Sequence, residues 1–179
     1  GYSTLKKGEM VCSSNEDNKI TRCDSSSKKL IGVVSTNPEE TLGRDPEVGS
    51  HGDDNKSNVA LTGRIPVMVT GYDQINIGDK ITTSDISGFG KKITQAGYIA
   101  GEVVQSTDWN QSRCTPVNSI SDIGWPVENA FEPALNTGKP CYRLPDGRYI
   151  GKVVILANTS YYDPDVNLTA TGQVNVNYN

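Results

Sequence analysis

The chain has 179 residues, of which 35% are hydrophobic and 21% are charged, with 18 glycines and 9 prolines. This length fits one domain with an extension, and so much glycine and proline favours short strands joined by tight turns over long helices. A formal net charge of −4 argues against nucleic-acid binding, which needs a basic surface. No apolar run approaches the roughly 20 residues of a membrane-spanning helix.

The ends of the sequence indicate a segment of a longer protein. Gly1-Tyr2-Ser3 has neither the basic start nor the apolar stretch of a signal peptide. The sequence opens in the middle of a strand-like pattern, and it closes on alternating Val and Asn over residues 174–179. We therefore expect further sequence on the natural protein.

Two stretches, residues 6–34 and 76–104, read as copies of one structural unit. In each, a glycine (Gly8 or Gly78) followed by an acidic residue introduces a strand, a hairpin follows, and a glycine-containing apolar strand ends the unit. Such a unit cannot bury its apolar face by itself, so two copies packed together make physical sense. The alternative is a chance likeness within a glycine-rich β protein.

Residues 58–70 form the longest strand candidate, and the other strands are organised around it. Apolar residues occupy the odd positions and alternate with a different set of residues at the even positions. On a strand this alternation places one set in a core and the other towards solvent or a second layer. Gly63 interrupts the alternation, where a bulge or a close backbone approach is expected. Pro66 has no N–H, so its nitrogen should face a sheet edge or a bulge. The odd set is Val59, Leu61, Ile65, Val67 and Val69.

The segment after the second unit has no clear period. We interpret residues 106–148 as an ordered insertion, with one helical turn between Ile120 and Trp125. The dipeptide Asp146-Gly147 is a strong hairpin signal, and it leads into an apolar strand over residues 149–157.

The end of the chain reads as an extension of the domain. Asp163-Pro164-Asp165 breaks the preceding strand, and Val and Asn alternate over residues 171–179 without a partner strand. We therefore predict a β-rich domain over residues 1–165 and an extended exit strand or linker over residues 166–179. The predicted fold class is all-β, a compact barrel or sandwich of short strands built from the two hairpin units.

The four cysteines are an even set without C-x-x-C spacing, which argues against structural zinc. Cys12 and Cys23 flank a polar turn, whereas Cys114 and Cys141 bracket the insertion. Disulfides between the members of each pair would add on the order of 3 kcal/mol each through loop closure. They would indicate an oxidising, extracellular setting. The alternative is four buried free thiols.

Candidate catalytic and metal-binding residues are few. A Ser-His-Asp triad would need His51, the one histidine, which lies in a polar loop and reads better as a surface residue. Asp53 with Asp54, or Asp163 with Asp165, offer oxygen ligands for calcium. Neither pair has the spacing of a full calcium-binding loop, so solvated turns are the alternative. No glycine-rich loop leads into a helix, and we expect no cofactor.

Two sequence segments carry a resemblance to a known family. Leu-Ile-Gly-Val-Val-Ser-Thr-Asn-Pro over residues 30–38 precedes Val-Ala-Leu-Thr-Gly-Arg-Ile-Pro-Val over residues 59–67, and Gly78-Asp79 and Gly101 follow. This combination resembles the peptidase G2 domain, the self-cleaving, chaperone-like C-terminal module of phage neck-appendage and tail-spike proteins. Similar modules occur in fibre-type bacterial surface proteins.

The resemblance covers about residues 5–105 and 149–165 and leaves the insertion unmatched. It implies a β-rich domain at the end of a trimeric fibre, which helps the fibre assemble and cleaves itself from its precursor. Ser35 and Asn37 match the strand-end motif of the family and are the best candidates to line a cleavage site. The alternative is a strand end at which Asn37 satisfies turn backbone before Pro38. The acidic and aromatic segment that the family carries upstream of the first glycine turn has no match.

Three hypotheses follow. The first is a non-catalytic assembly module of a homotrimeric fibre, located extracellularly on a cell or virion surface, with flanking fibre segments as partners. The second is a peptidase that cleaves its own precursor during maturation of the fibre. The third is a carbohydrate-binding module that presents a flat platform of aromatic rings to a surface glycan. The platform residues would be Trp109, Trp125, Tyr161 and Tyr162.

Overall fold

In a computed structural model of the chain, the described residues are 5–15, 19–26, 29–35, 57–123, 141–168 and 170–177. Strands are the regular structure that dominates these residues, with one short 3-10 helix, and this confirms the predicted all-β class. The strands are β1 (Met10–Ser13), β2 (Ile20–Arg22), β3 (Leu30–Val34), β4 (Val59–Ala60), β5 (Thr62–Gly71), β6 (Lys80–Thr83), β7 (Gly90–Lys92), β8 (Gly97–Gln105), β9 (Thr115–Pro116), β10 (Tyr142–Arg143), β11 (Tyr149–Tyr162), β12 (Val166–Leu168) and β13 (Val174–Val176). A 3-10 helix, Ile120–Asp122, lies where a helical turn was predicted.

The two predicted units fold in the same way. In the first unit, β1 lies between its hairpin partner β2 and the returning strand β3, which gives the order β2-β1-β3-β4. In the second unit the order is β7-β6-β8-β11. All neighbours within each set of four are antiparallel. The internal repeat inferred from the sequence is therefore a repeat of structure.

The glycine turn that opens each unit repeats bond for bond. The N–H of the glycine donates to a valine carbonyl at 2.9 Å, and that valine's N–H donates to the carbonyl of the acidic residue at 2.8 Å. The N–H of the acidic residue donates to the carbonyl three positions earlier at 3.1 Å, and both glycines have positive φ (85° and 91°), which glycine tolerates without strain. The residues are Lys6, Gly8, Glu9 and Val34 in the first unit and Asn76, Gly78, Asp79 and Val103 in the second.

A second glycine in each unit permits close contact between strands. A Cβ on Gly32 in β3 would lie 2.5 Å from the carbonyl oxygen of Ala60 in β4. A Cβ on Gly101 in β8 would collide with the carbonyl oxygen of Leu156 in β11. Each glycine therefore allows the last strand of its unit to approach the strand beside it, β4 or β11, more closely than a side-chain carbon would permit.

The second unit, together with β5 and β11, forms a closed five-stranded barrel. Strand β11 pairs with β5 from Tyr149 to Asn158 and with β8 from Val154 to Tyr162. Strand β5 also meets β7 in parallel at Val69 and Gly90, which completes a ring in the order β5-β7-β6-β8-β11. Ring closure removes the exposed edges that an open sheet of this size would present.

The first unit docks on the barrel through backbone hydrogen bonds. Met10 N–H donates to the carbonyl of Gly88 at 2.8 Å, and Gly88 N–H donates to the carbonyl of Cys23 at 2.8 Å. Met68 of β5 donates its N–H to the carbonyl of Gly8 at 3.0 Å. On a strand, N–H groups two residues apart point to the same side, so the nitrogen of Pro66 also faces the first unit and not β11. As predicted, the nitrogen of Pro66 lies on the edge of β5 that has no ladder partner at this position in the described part of the chain.

The predicted central strand is two strands with a break at Leu61. Its alternation holds from Ile65 onwards, where the odd residues are buried in the barrel. Leu61, expected inside, is 57% exposed, and that prediction is wrong. The chain leaves the sheet of the first unit after Ala60 and enters the barrel at Thr62, so the two sides of the break do not share one alternation.

The even face of β5 is covered by a second layer, one of the two possibilities that the pattern left open. Met68 and Thr70 are buried, and the predicted insertion supplies much of the cover. The hairpin predicted at Asp146-Gly147 joins β10 to β11, with Gly147 at φ 89°. The second-layer cluster contains Met68, Ile86, Phe89, Ile123, Leu144 and Ile150.

Both predicted disulfides are present, and the described residues include no free cysteine. Cys12–Cys23 links β1 to the residue that follows β2, and both sulfurs are buried in the core of the first unit. Cys114–Cys141 links the residues that precede β9 and β10. One covalent link therefore stabilises the open sheet, and the other stabilises the insertion.

The tail differs from its prediction. Strand β11 ends at Tyr162, as the Asp163-Pro164-Asp165 sequence indicated. The strand expected to lack a partner, β13, pairs with β12 in a separate antiparallel hairpin. Gly172, at φ 80°, lies in the turn between them. The sequence reading missed this hairpin because β12 has only three residues.

Replacing Gly32 or Gly101 by alanine tests the close strand approach. We expect each substitution to lower the free energy of unfolding by about 1–3 kcal/mol, because the backbone oxygen that meets the new carbon cannot move aside cheaply. Gly97→Ala in β8 is the matched control, since its Cβ would make an ordinary contact with Ile93 at 3.7 Å. That variant should stay within about 0.5 kcal/mol of wild type. Equal stability of all three variants in urea denaturation would contradict the model of excluded side chains.

Removing the disulfides tests their separate contributions. We expect Cys114→Ala with Cys141→Ala to cost more stability than Cys12→Ala with Cys23→Ala, because the bonds join residues 27 and 11 positions apart. Loop-closure entropy predicts a difference of about 0.8 kcal/mol. Urea denaturation measures it, and a peptide map without reductant checks the pairing. Free thiols in that map, or the opposite order of stability, would show the expectation to be wrong.

Candidate functional site

Ser35, the predicted cleavage-site candidate, lies directly after β3. It is half-buried, and its N–H donates to the carbonyl of Asn58 at 2.8 Å, which ties the end of β3 to the start of β4. Its hydroxyl makes no hydrogen bond with a carboxylate or an imidazole in the part of the chain that the structure describes. Asn37 and His51 lie outside that part. The described geometry therefore gives Ser35 a structural role at a strand end.

The acidic candidates for calcium form a turn. Asp163 accepts the N–H of Asp165 on Oδ1 at 3.0 Å and the N–H of Val166 on its carbonyl at 3.3 Å. Asp53 and Asp54 lie outside the described residues. Across the described ranges, no three His, Cys, Asp or Glu side chains come together as a metal site would require. The geometry around Asp163 and Asp165 is that of a chain reversal before β12.

The acidic residue of each glycine turn has a role that the sequence analysis did not assign. Glu9 is buried and accepts the N–H of Lys6 at 2.7 Å, and its carboxylate also binds Arg22 Nε at 2.8 Å. Asp79 accepts the N–H of Asn76 at 2.8 Å and pairs with Lys92 Nζ at 2.9 Å. Glu9 and Asp79 are 70 residues apart in the sequence, and so are their basic partners Arg22 and Lys92. This shared spacing is the sequence signal that predicts both ion pairs. The pairs stabilise the turns and leave these carboxylates engaged.

Trp109 is buried in the protein and is not part of a flat aromatic surface. Its ring stacks on Tyr149, with centroids 5.6 Å apart and planes inclined by 19°. Gly71 and Gly151 lie against the ring, and Gln74 bonds both backbone groups of Trp109. The other platform tryptophan, Trp125, lies outside the described residues. Trp109 therefore packs the insertion over the sheet.

The outer surface where β8 meets the end of β11 carries exposed aromatic and apolar side chains. Tyr98 and Tyr161 are paired in register and are 55% and 63% exposed, with ring centroids 5.6 Å apart at 83°. This edge-to-face arrangement is not the flat platform expected for stacking on a sugar ring. Leu156, 51% exposed, lies on β11 five residues before Tyr161, and the exposed Asn158 and Thr159 separate the two. We call Tyr98, Leu156 and Tyr161 the tyrosine face.

A row of charges crosses the barrel beside the tyrosine face. Glu102 is paired in register with Lys80 on one side and with Leu156 on the other, and it forms an ion pair with Lys80. The register partner of Leu156 on β5 is Arg64, which is exposed. Arg64 has no ion-pair partner among the described residues. Large exposed apolar groups beside charges are characteristic of protein–protein contact surfaces.

The β12–β13 hairpin carries a second exposed apolar surface. Val166 is paired with Val176, and Val174 lies two residues before Val176 on the same strand, so these three side chains share one face of the ribbon. Val166, Val174 and Val176 are 42%, 62% and 45% exposed. The opposite face carries Asn175. We call Val166, Val174 and Val176 the hairpin face.

The titratable groups with shifted pKa values lie near the insertion. Arg148 bridges Asp85 at 2.8 Å and Asp146 at 2.7 Å, and the hydrogen bond from its backbone N–H lowers the pKa of Asp146 below its ordinary value. Lys152 of β11 is half-buried opposite Met68, and burial lowers its pKa to about 8. The Arg148 pairs link the end of the insertion to the barrel at Asp85, whereas burial of Lys152 disfavours its charged form.

The lowered pKa of Lys152 predicts a specific pH dependence of stability. Lysine has a pKa of 10.5 in its ordinary state and about 8 in the fold. Between these values the unfolded chain binds more protons than the folded chain, so the free energy of unfolding should rise with pH. Lys152→Met should remove that contribution, while Lys91→Met, an exposed lysine of β7, should keep it. Urea denaturation from pH 7 to pH 10.5 checks this, and the same pH dependence in Lys152→Met as in wild type would contradict it.

No helix among the described residues has both the length and the apolar character needed to cross a bilayer.

Comparisons with known proteins found no relative of this chain. No protein-family model, no curated protein and no solved structure matches the chain.

Proposed function

We propose that this chain is a non-catalytic structural module that assembles a homotrimeric fibre on an extracellular, cell or virion surface. The observation that carries the proposal is the pair of exposed apolar surfaces, the tyrosine face and the hairpin face, on a closed barrel. Proteins that act alone in solution rarely leave several large apolar side chains grouped on their surface. A partner protein that covers them would remove this apolar area from water.

The framework that holds these surfaces is suited to a rigid building block. Ring closure gives every strand of the barrel a neighbour on both sides, with β5 and β7 joined at Val69 and Gly90. Two disulfides stabilise the parts outside the ring, and such bonds persist in oxidising compartments. They are compatible with an extracellular location, which forms part of the proposal.

The resemblance to peptidase G2 supports the same function. Its two diagnostic segments, residues 30–38 and 59–67, are distant in sequence, yet their described parts meet in the pairing of β3 with β4. Ser35 is bonded to Asn58 where these segments meet. The motif residues therefore hold together the edge of the first unit, a role that a structural module needs and a cleavage reaction does not.

Sedimentation equilibrium tests the assembly. We expect a particle of about 58 kDa for three copies of a 19.3 kDa chain. Under reducing conditions the closed barrel keeps its hydrogen bonds, so the particle should persist in mild reductant. A monomer at all micromolar concentrations would contradict the proposal.

A denaturing gel separates this function from the alternative of a self-cleaving peptidase. The chain is expressed together with any sequence that its gene encodes before Gly1 and is incubated for several days. We expect one full-length band in wild type and in Ser35→Ala. A second band that appears in wild type and is absent in Ser35→Ala would establish the peptidase instead.

A further inference from the structure

Each copy of the chain leaves two apolar surfaces uncovered, and Tyr161 of one surface lies near the end of β11 from which the other surface follows. The tyrosine face includes Tyr161, and the hairpin begins after the short turn from Asp163 to Asp165. The chain does not fold the hairpin face back on its own tyrosine face, because side chains of both faces are exposed. A two-stranded hairpin is at best marginally stable in water by itself. The hairpin therefore gains most from cover that comes from another molecule.

The charges near these faces indicate what that molecule is. The hairpin from Val166 to Asn177 has no charged residue, so it brings no like charge against the Lys80–Glu102 ion pair or Arg64 beside the tyrosine face. Asp165 stands at the root of the hairpin, and Arg64 stands beside the tyrosine face. Neither side chain forms an ion pair with another described residue. Because Asp165 and Arg64 have opposite charges, a second copy of this chain offers both an apolar face and a counter-charge for each of them.

We propose that the hairpin face of one copy packs on the tyrosine face of the next copy, with Asp165 of the first beside Arg64 of the second. This inference rests on the proposed assembly function and names its contact surfaces. The two faces are different, so the contact is head-to-tail. A head-to-tail contact closes into a ring when the rotation between copies allows it. Three equivalent contacts would join three copies.

Single charges placed on each face test the contact. Val174→Asp puts a carboxylate on the hairpin face, and Asn175→Asp puts the same charge on the opposite face of the same strand. Leu156→Asp alters the tyrosine face, and Ile77→Asp alters an exposed apolar residue in the turn before β6. We expect Val174→Asp and Leu156→Asp to raise the concentration at which the assembly dissociates at least about tenfold, because the new charge loses its hydration in the contact. Asn175→Asp and Ile77→Asp should leave it unchanged.

Mixing the two interface variants distinguishes a head-to-tail contact from contact between identical faces. A Val174→Asp copy retains its tyrosine face, and a Leu156→Asp copy retains its hairpin face, so a mixture keeps one intact contact. We expect the two variants to form a one-to-one heterodimer in sedimentation, although each is monomeric by itself. Absence of a heterodimer, with circular dichroism showing both variants folded, would overturn the proposal.

Exchange of the two charges tests the ion pair. Arg64→Asp and Asp165→Arg should each weaken the assembly, and the double variant should restore it. A trimeric wild type whose assembly withstands all of these substitutions would overturn this contact and leave the proposed function standing. A monomeric wild type would overturn the assembly function itself.

Discussion

The barrel depends on how closely β8 and β11 approach each other. Strand β11 must reach β5 with its first half and β8 with its second half, and a side-chain carbon at Gly101 would block the second contact. The same constraint applies at Gly32, where β3 meets β4. Because one glycine sets the separation in each unit, the repeat is a repeat of backbone packing more than of side chains. The sequences of the two units can therefore diverge while their strand order stays the same.

The turn carboxylates explain how such different sequences keep one geometry. A buried Glu9 and a more exposed Asp79 hold the same position because each binds a backbone N–H and a basic side chain. The basic partners, Arg22 and Lys92, differ in chemistry but lie at the same offset of 70 residues. In the described parts of the chain, the carboxylates of the glycine turns therefore have structural roles.

The sequence predicted those features that one residue type enforces. A glycine before an acidic residue predicted the two turns, Asp146-Gly147 predicted the hairpin, and the cysteine spacings predicted both disulfides. It failed at Leu61, because a strand that passes from one sheet to another changes its inward side without any local signal. The β12–β13 hairpin was missed because a three-residue strand is too short to show a period. The candidate surface was predicted only through Tyr161, since its neighbours Tyr98 and Leu156 come from pairings that a linear sequence does not display.

The first disulfide lies in the open sheet, whereas the barrel is stabilised by ring closure. Cys12 and Cys23 correspond to Thr82 and Ile93 at the 70-residue offset, so only the unit outside the ring carries the sulfur bridge. Inside the ring, the corresponding strands β6 and β7 have neighbours on both sides. The bridge therefore joins strands of the sheet whose outermost members, β2 and β4, have no further neighbour among the described strands, and its reduction would loosen that half of the repeat first.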